Sequence, residues 1–247
     1  MCSINHDKKA IFIHIPKTAG MYIRHCLQKK YNFKTYLFQR PDHIEYCKTN
    51  LLENDNQLFF GNKIHGVINY YKTSKYLSDL MNMDNEKWDT YYKFCFIRNP
   101  YDRIISGWNY INDICKNNNN VNINTLNDFE KYIFLENVSE NEYFHIFFPQ
   151  YKNIINEKNE LYINYIGHYE NLEEDFKSIL LNIGFHEKEI IHNKDAKINR
   201  RKHKKFYEII NNQNILNKVN EICNDDFEKL NYKKIDKIDD FLDFFKN

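Results

Sequence analysis

Residues 10–23 read AIFIHIPKTAGMYI, and this stretch decides the fold. It begins with an apolar run that predicts a short buried strand. Pro16 ends the strand, because proline cannot donate a hydrogen bond to a sheet ladder. Residues 17–20, KTAG, form a turn of small residues with one cation, and Ile23 and Leu27 then continue at helical spacing. A strand, a small turn and a helix in this order place backbone N–H groups at a helix N-terminus, where an anion can bind.

Two interpretations of this turn remain open from the residues alone. It is either an ordinary connection between a strand and a helix with a surface lysine, or a phosphate-binding loop. It is not a Walker A loop, because the pattern G-x-x-x-x-G-K-[ST] is absent and Lys17 precedes the turn.

A second strand, turn and helix are predicted at residues 91–108, YYKFCFIRNPYDRIISGW. The apolar residues 94–97 form a buried strand, and Arg98 stands at its carboxyl end. We expect Asp102 to cap the helix that follows. Ser106 lies eight residues after Arg98. A guanidinium group can make two charge-assisted hydrogen bonds to one phosphate, and a serine hydroxyl adds a further donor.

Composition limits the class of protein. The chain has 247 residues and a net charge of +1, which fits one α/β domain over residues 1–247 with a flexible N-terminus at residues 1–9. The near-neutral charge argues against a nucleic-acid partner. The six cysteines are scattered without the spacing of a zinc site. The first ten residues lack the apolar region of a signal peptide, and no stretch reaches the apolar length of a transmembrane helix, so we expect a soluble, cytoplasmic protein without a membrane anchor.

The sequences of the two motifs resemble those of one enzyme family. HIPKTAG (residues 14–20) is similar to the 5′-phosphosulfate-binding loop of sulfotransferases that use PAPS (3′-phosphoadenosine 5′-phosphosulfate), above all in their carbohydrate-modifying branch. RNPYDRIIS (residues 98–106) resembles the 3′-phosphate-binding motif of the same family. The resemblance implies that Arg98 and Ser106 hold the 3′-phosphate. It also implies a 5′-phosphosulfate loop made of Lys17, Thr18, Ala19, Gly20, Met21 and Tyr22.

The resemblance suggests further site residues beyond these motifs. His65, in a histidine-glycine pair between them, would be the catalytic base, and His145, in HIFFPQ, is a second choice near the acceptor. A strand at residues 161–166 leads into GHYENLEEDF, where Tyr169 would lie by the adenine. A basic segment would close over the 3′-phosphate through Arg200, Arg201 and Lys202.

One departure from the family affects cofactor binding. The family pattern has Thr-Ser after the loop glycine, whereas this chain has Met21 and Tyr22. Two hydroxyl groups that would bind phosphate are therefore replaced. Backbone N–H groups can still serve, and Tyr22 could instead stack on the adenine.

The implied fold is a three-layer α/β sandwich around a central parallel sheet, the P-loop-like fold of sulfotransferases, with the site at the carboxyl ends of the strands. The implied activity is transfer of a sulfuryl group from PAPS to an acceptor hydroxyl, most simply on a carbohydrate, with PAP as product and no metal. His65 would act as base and Lys17 would stabilise the leaving group. The alternatives are an impaired or repurposed PAPS-binding relative, a P-loop-like nucleotide kinase, and a polyanion-binding module using residues 200–205.

Overall fold

The structure is a computed structural model that describes residues 2–36, 85–117, 129–134, 146–156, 158–190 and 206–246. The chain divides into two compact units, the first made of residues 1–98 and 152–200 and the second of residues 99–151 and 201–247. The expectation of one sulfotransferase domain over the whole chain stays a prediction.

The strands and helices of the described residues follow the order β-β-α-β-α-β-α-α-β-α and then four further helices. The strands are β1 (Cys2–Asn5), β2 (Ala10–Ile13), β3 (Lys34–Tyr36), β4 (Tyr92–Ile97) and β5 (Tyr165–His168). The first five helices are α1 (Gly20–Lys30), α2 (Asn85–Thr90), α3 (Pro100–Asn117), α4 (Phe129–Ile133) and α5 (Leu172–Asn182). The remaining helices are α6 (Phe206–Ile209), α7 (Gln213–Ile222), α8 (Asn224–Lys229) and α9 (Ile238–Lys246).

The first unit is organised around a five-stranded sheet with the order β3-β1-β2-β4-β5. β2 pairs in parallel with β4, and β4 pairs in parallel with β5. The predicted α/β class with a central sheet of parallel strands is therefore confirmed. β1 departs from the all-parallel sheet, since it runs antiparallel to both of its neighbours.

The N-terminal segment is a structured part of this sheet, and the prediction of a flexible end at residues 1–9 was wrong for β1. All four residues of β1 are buried. Its two polar side chains have partners: Ser3 Oγ lies 2.8 Å from Thr35 Oγ1, and Asn5 Nδ2 donates to the Tyr31 carbonyl at 2.8 Å. Because these bonds satisfy the polar groups, a strand that looks hydrophilic in the sequence can lie inside the sheet.

One face of the sheet is covered by α1 and α5. Phe12, Phe94 and Phe96 point to this face and pack with the apolar sides of the two helices. The helical spacing of Ile23 and Leu27, predicted from the sequence, places both side chains in this core, where neither is exposed. The packing fixes the start of α1 against the carboxyl ends of the strands, which is where a ligand is expected in a sheet of this kind.

The second unit is helical and has its own core, built mainly from α3, α7 and α9. α3 begins one turn earlier than predicted: Asn99 is its cap, since its Oδ1 accepts from the backbone N–H of Tyr101 at 3.0 Å, and Pro100 occupies the first helical position. Asp102 therefore lies inside the first turn, where its charge suits the helix dipole.

Two buried charged side chains, Arg103 and Asp226, hold residues 146–151 in this unit. Arg103, only 1 % exposed, donates to the carbonyl oxygens of Ile146 and Phe148. Asp226, fully buried, accepts from Gln150 Nε2 at 3.2 Å and from the backbone N–H of Tyr151 at 2.9 Å. Burial raises the pKa of the Asp226 carboxyl, and the nearby Arg103 opposes that rise.

In the described segments, no helix combines the length and the apolar character that crossing a membrane requires.

Candidate functional site

The loop between β2 and α1 has a backbone that few sequences adopt. Lys17 and Ala19 both have positive φ, of 70° and 63°. Such values are uncommon for residues other than glycine and cost about 1–2 kcal/mol each. Thr18, which is fully buried between them, donates from Oγ1 to the Ile15 carbonyl at 2.9 Å and fastens the loop to the end of β2. Strain of this kind is found at ligand sites, where surrounding contacts hold the backbone in place.

The N-terminus of α1 suits a negatively charged group. Ala19 precedes the helix and has no side-chain oxygen that could cap it, and the first turn contains no acidic residue. The dipole of the helix and the N–H groups of its first turn favour an anion there. Gly20 is the first residue of this helix, and Lys17 lies three residues before it in the loop.

His14 packs directly over Gly20. A Cβ atom on Gly20 would lie 1.8 Å from His14 Cδ2 and 2.0 Å from Nε2, so no larger residue fits without displacing the imidazole. The ring also stacks on Phe12, with centroids 6.0 Å apart. Burial lowers the pKa of His14 to about 3, and the charges of the N-terminal amine, Arg24 and Lys17 add to the effect. The imidazole is therefore neutral at pH 7. No role for His14 was predicted from the sequence. The feature of the sequence that could have indicated its position is Gly20, six residues later, in a chain with few glycines.

Arg98 lies at the carboxyl end of β4 and is only 9 % exposed. One of its guanidinium nitrogens donates to the Lys17 carbonyl at 3.3 Å. Its Cζ atom lies 4.0 Å from the centroid of the Tyr169 ring, and Tyr169 follows directly after β5. Lys17, Arg98 and Tyr169 therefore come together beyond the carboxyl ends of three neighbouring parallel strands, β2, β4 and β5.

Met21 and Tyr22, which replace the hydroxyl residues of the family pattern, have different surroundings: the side chain of Met21 is exposed, and that of Tyr22 is hydrogen-bonded. Met21 is 52 % exposed. The Tyr22 hydroxyl donates to Glu173 Oε1 at 3.1 Å, which ties α1 to the first turn of α5. Burial, followed by the interactions with Cys26 and then Glu173, raises the pKa of the Tyr22 phenol. In this arrangement the hydroxyl of Tyr22 bonds to a carboxylate of the protein.

The remaining predicted site residues lie in the second unit or outside the described residues. Ser106 lies on α3 in the second unit, where it is 8 % exposed. His65 falls in residues 37–84 and His145 in residues 135–145, both outside the described residues. Residues 191–205, which contain Arg200, Arg201 and Lys202, are also outside them. Their roles stay predictions. No group of three or more His, Cys, Asp and Glu side chains that could hold a metal ion was found within the described ranges.

Comparison with known proteins places the chain in a family. A protein of Archaeoglobus fulgidus, described as uncharacterized, is 33 % identical over 99 residues, which cover 40 % of this chain and 72 % of that protein. No solved structure matches the chain. A model of the sulfotransferase family matches residues 2–233, which include both motifs and the edge of the sheet where they meet. The chain therefore belongs to the sulfotransferase family.

Proposed function

We propose that this chain transfers the sulfuryl group of PAPS to a hydroxyl group of a carbohydrate and releases PAP. One observation carries the proposal: the hydrogen bond from Arg98 to the Lys17 carbonyl joins the two motif segments at one edge of the sheet. Membership of the family supports sulfuryl transfer in general. PAPS as the donor and a carbohydrate as the acceptor rest on the resemblance of the motifs.

The residues present fit the charged ends of PAPS. The strained loop, the N-terminus of α1 and Lys17 suit the 5′-phosphosulfate, which needs several donors and a positive charge. Arg98 suits the 3′-phosphate, because its planar guanidinium can form two parallel bonds to one phosphate. We extend the same site to Ser106, Arg200, Arg201 and Lys202 on the sequence motifs alone.

In the proposed reaction His65 accepts the proton of the acceptor hydroxyl. The acceptor oxygen bonds to sulfur as the bond between sulfur and the bridging oxygen of the 5′-phosphate breaks, and the electron pair stays on that oxygen. Lys17 stabilises the charge that develops there. As in phosphoryl transfer, positioning and electrostatic stabilisation provide most of the rate enhancement.

Isothermal titration with PAP tests the proposal most directly. We expect the intact protein to bind PAP and Lys17→Ala and Arg98→Ala each to weaken binding roughly 10- to 150-fold, the effect of losing a charge-assisted hydrogen bond. Lys29→Ala, which removes the same charge from the exposed end of α1, is the matched control and should bind as the intact protein does. Absence of PAP binding, or an equal loss in the control, would contradict the proposal.

The same preparation separates the alternatives. A kinase would be stabilised in thermal unfolding by ATP with magnesium, whereas a sulfotransferase would be stabilised by PAP. A polyanion-binding module would show steep salt dependence and no effect of PAP. PAP binding without turnover of any acceptor would favour a repurposed relative, which the exposed Met21 and the Tyr22–Glu173 bond make a specific second candidate.

A further inference from the structure

The tyrosine that the family resemblance assigns to the adenine makes a different contact in this chain. The ring of Tyr169 lies against the guanidinium of Arg98, with 4.0 Å between Cζ and the ring centroid. We propose that Tyr169 is a positioning residue that acts through Arg98, so that preference for a nucleotide with a 3′-phosphate depends on this stack. The inference rests on the proposed function, in which Arg98 binds the 3′-phosphate.

The geometry of the stack suits this role. A guanidinium carries its five N–H donors in one plane, and an aromatic ring contacts the face of that plane without using any of the donors. The Lys17 carbonyl accepts from a guanidinium nitrogen at 3.3 Å, and the ring contacts the face. Two contacts of different kinds therefore restrict both the position and the tilt of the guanidinium before a ligand arrives. A donor held in place loses less entropy when it binds a phosphate.

Tyr169 is itself held in place by one carboxylate. Asp175, in the first turn of α5, accepts from the backbone N–H of His168 at 2.6 Å and from Asn171 Nδ2 at 3.1 Å. These two partners lie on either side of Tyr169, which begins a short 3₁₀ turn (Tyr169–Asn171). The segment that carries the ring is therefore anchored through the His168 backbone and the Asn171 side chain, whereas Tyr169 is 36 % exposed.

The ring of Tyr169, and not its hydroxyl, makes the contact with Arg98. Within the described part of the chain, the phenol oxygen makes no hydrogen bond, and the one interaction of the side chain is the stack of the ring on Arg98. Tyr169→Phe should therefore keep the function, and Tyr169→Leu should lose it while filling a similar part of the surface. Without the ring, Arg98 would lose more side-chain entropy when it binds the phosphate, which should weaken the phosphate contact by about 2- to 12-fold.

Two nucleotides distinguish this role from direct contact with the adenine. PAP has the 3′-phosphate and adenosine 5′-monophosphate lacks it, whereas the base is the same. We expect Tyr169→Leu to weaken PAP binding by about 2- to 12-fold and to leave the binding of adenosine 5′-monophosphate unchanged. Tyr169→Phe should bind PAP like the intact protein. Tyr110→Leu, at a tyrosine with a similar exposed fraction of 37 %, is the matched control and should bind both nucleotides normally.

A double-mutant cycle provides the second test. If Tyr169 acts through Arg98, then Tyr169→Leu should have no further effect on PAP binding in an Arg98→Gln protein. Additive effects of the two substitutions would overturn the inference. Equal losses for PAP and adenosine 5′-monophosphate in Tyr169→Leu would also overturn it and would leave the proposed function intact.

The stack can also be tested without any nucleotide. A ring lying on a guanidinium shifts the NMR resonance of the arginine Nε–H group, so the Arg98 signal should move in Tyr169→Leu and stay in place in Tyr169→Phe. An Arg98 signal that does not respond to Tyr169→Leu would refute the stack. Failure of the intact protein to bind PAP, with the Arg98 signal responding as expected, would refute the proposed function and the 3′-phosphate role together while the stack itself held.

Discussion

Gly20 is the residue of the loop whose replacement has the clearest physical consequence. In a helix, alanine is more favourable than glycine by up to about 1 kcal/mol, so Gly20→Ala would stabilise α1 if space were available. Space is not available, because the new Cβ would lie 1.8 Å from His14 Cδ2 and 2.0 Å from its Nε2. The imidazole must leave its position on Phe12, or the start of α1 must move.

The steric term is the larger of the two. Adding a methyl group to a packed site costs about 1–3 kcal/mol, and the obstacle here is a ring rather than the flexible end of a long side chain. A rigid obstacle places the cost in the upper part of this range, about 2–3 kcal/mol, and subtracting the gain in helix propensity leaves an expected net loss of about 1–2 kcal/mol in the free energy of unfolding. The movement would also displace the loop backbone, so PAP affinity should fall in the same variant.

Urea denaturation of four proteins measures this effect: the intact chain, Gly20→Ala, His14→Ala and the double variant. The double variant lacks the ring, so Gly20→Ala should cost much less in the His14→Ala background, with a coupling close to the steric term, about 2–3 kcal/mol. Met21→Ala is the control, since its exposed side chain lies in the same turn and its truncation should be nearly neutral. A loss below about 0.5 kcal/mol for Gly20→Ala, or strict additivity with His14→Ala, would refute the steric explanation.

Two further predictions concern stability. Since the pKa of His14 is lowered from 6.5 to about 3, the unfolded chain takes up a proton between these pH values that the folded chain does not. Stability from this residue is present above pH 6.5 and is lost as the pH falls; at pH 5 the free energy of unfolding should be about 2 kcal/mol lower than at pH 7.5, and His14→Phe should remove this difference. The same dependence of the free energy of unfolding on pH in the intact protein and in His14→Phe would contradict this prediction. Tyr101→Phe should lower the free energy of unfolding by about 2 kcal/mol, because the buried hydroxyl donates to Asn220 Oδ1 at 2.7 Å and accepts from the Ile235 backbone N–H at 2.9 Å. Tyr110→Phe on the same helix is its control, and an equal loss in both would argue against the role of this hydroxyl.

The sequence predicted those parts of the fold whose signals are local. The strand and helix around KTAG appear as β2 and α1, and residues 94–97 lie in β4 with Arg98 at its carboxyl end. Each of these predictions depends on apolar spacing and a proline within about fifteen residues. The strand predicted at residues 161–166 lies further along the chain, since β5 spans Tyr165–His168. Its bounds depend on the parallel pairing with β4, which the sequence does not indicate.

The features that escaped sequence analysis depend on partners distant in the chain. β1 is a strand because β2 and β3 lie on either side of it, and its own residues do not indicate that pairing. The contacts of Arg98 with the Lys17 carbonyl and with the Tyr169 ring join segments about 70 to 80 residues apart. The resemblance of motifs named these residues, but it did not predict which atoms meet, since that depends on strand register and on the packing of α5.

The order of strands in the sheet has a consequence for synthesis on the ribosome. β4 pairs with β2 on one side and with β5 on the other, and β5 follows only after the chain has passed through α3 and α4. At ordinary translation rates this delay is on the order of several seconds. During that time β4, an apolar strand, offers an unpaired edge to any other extended chain. The nascent protein is therefore most vulnerable to aggregation while its future neighbour is still being made, and cellular chaperones would have their main task in that interval.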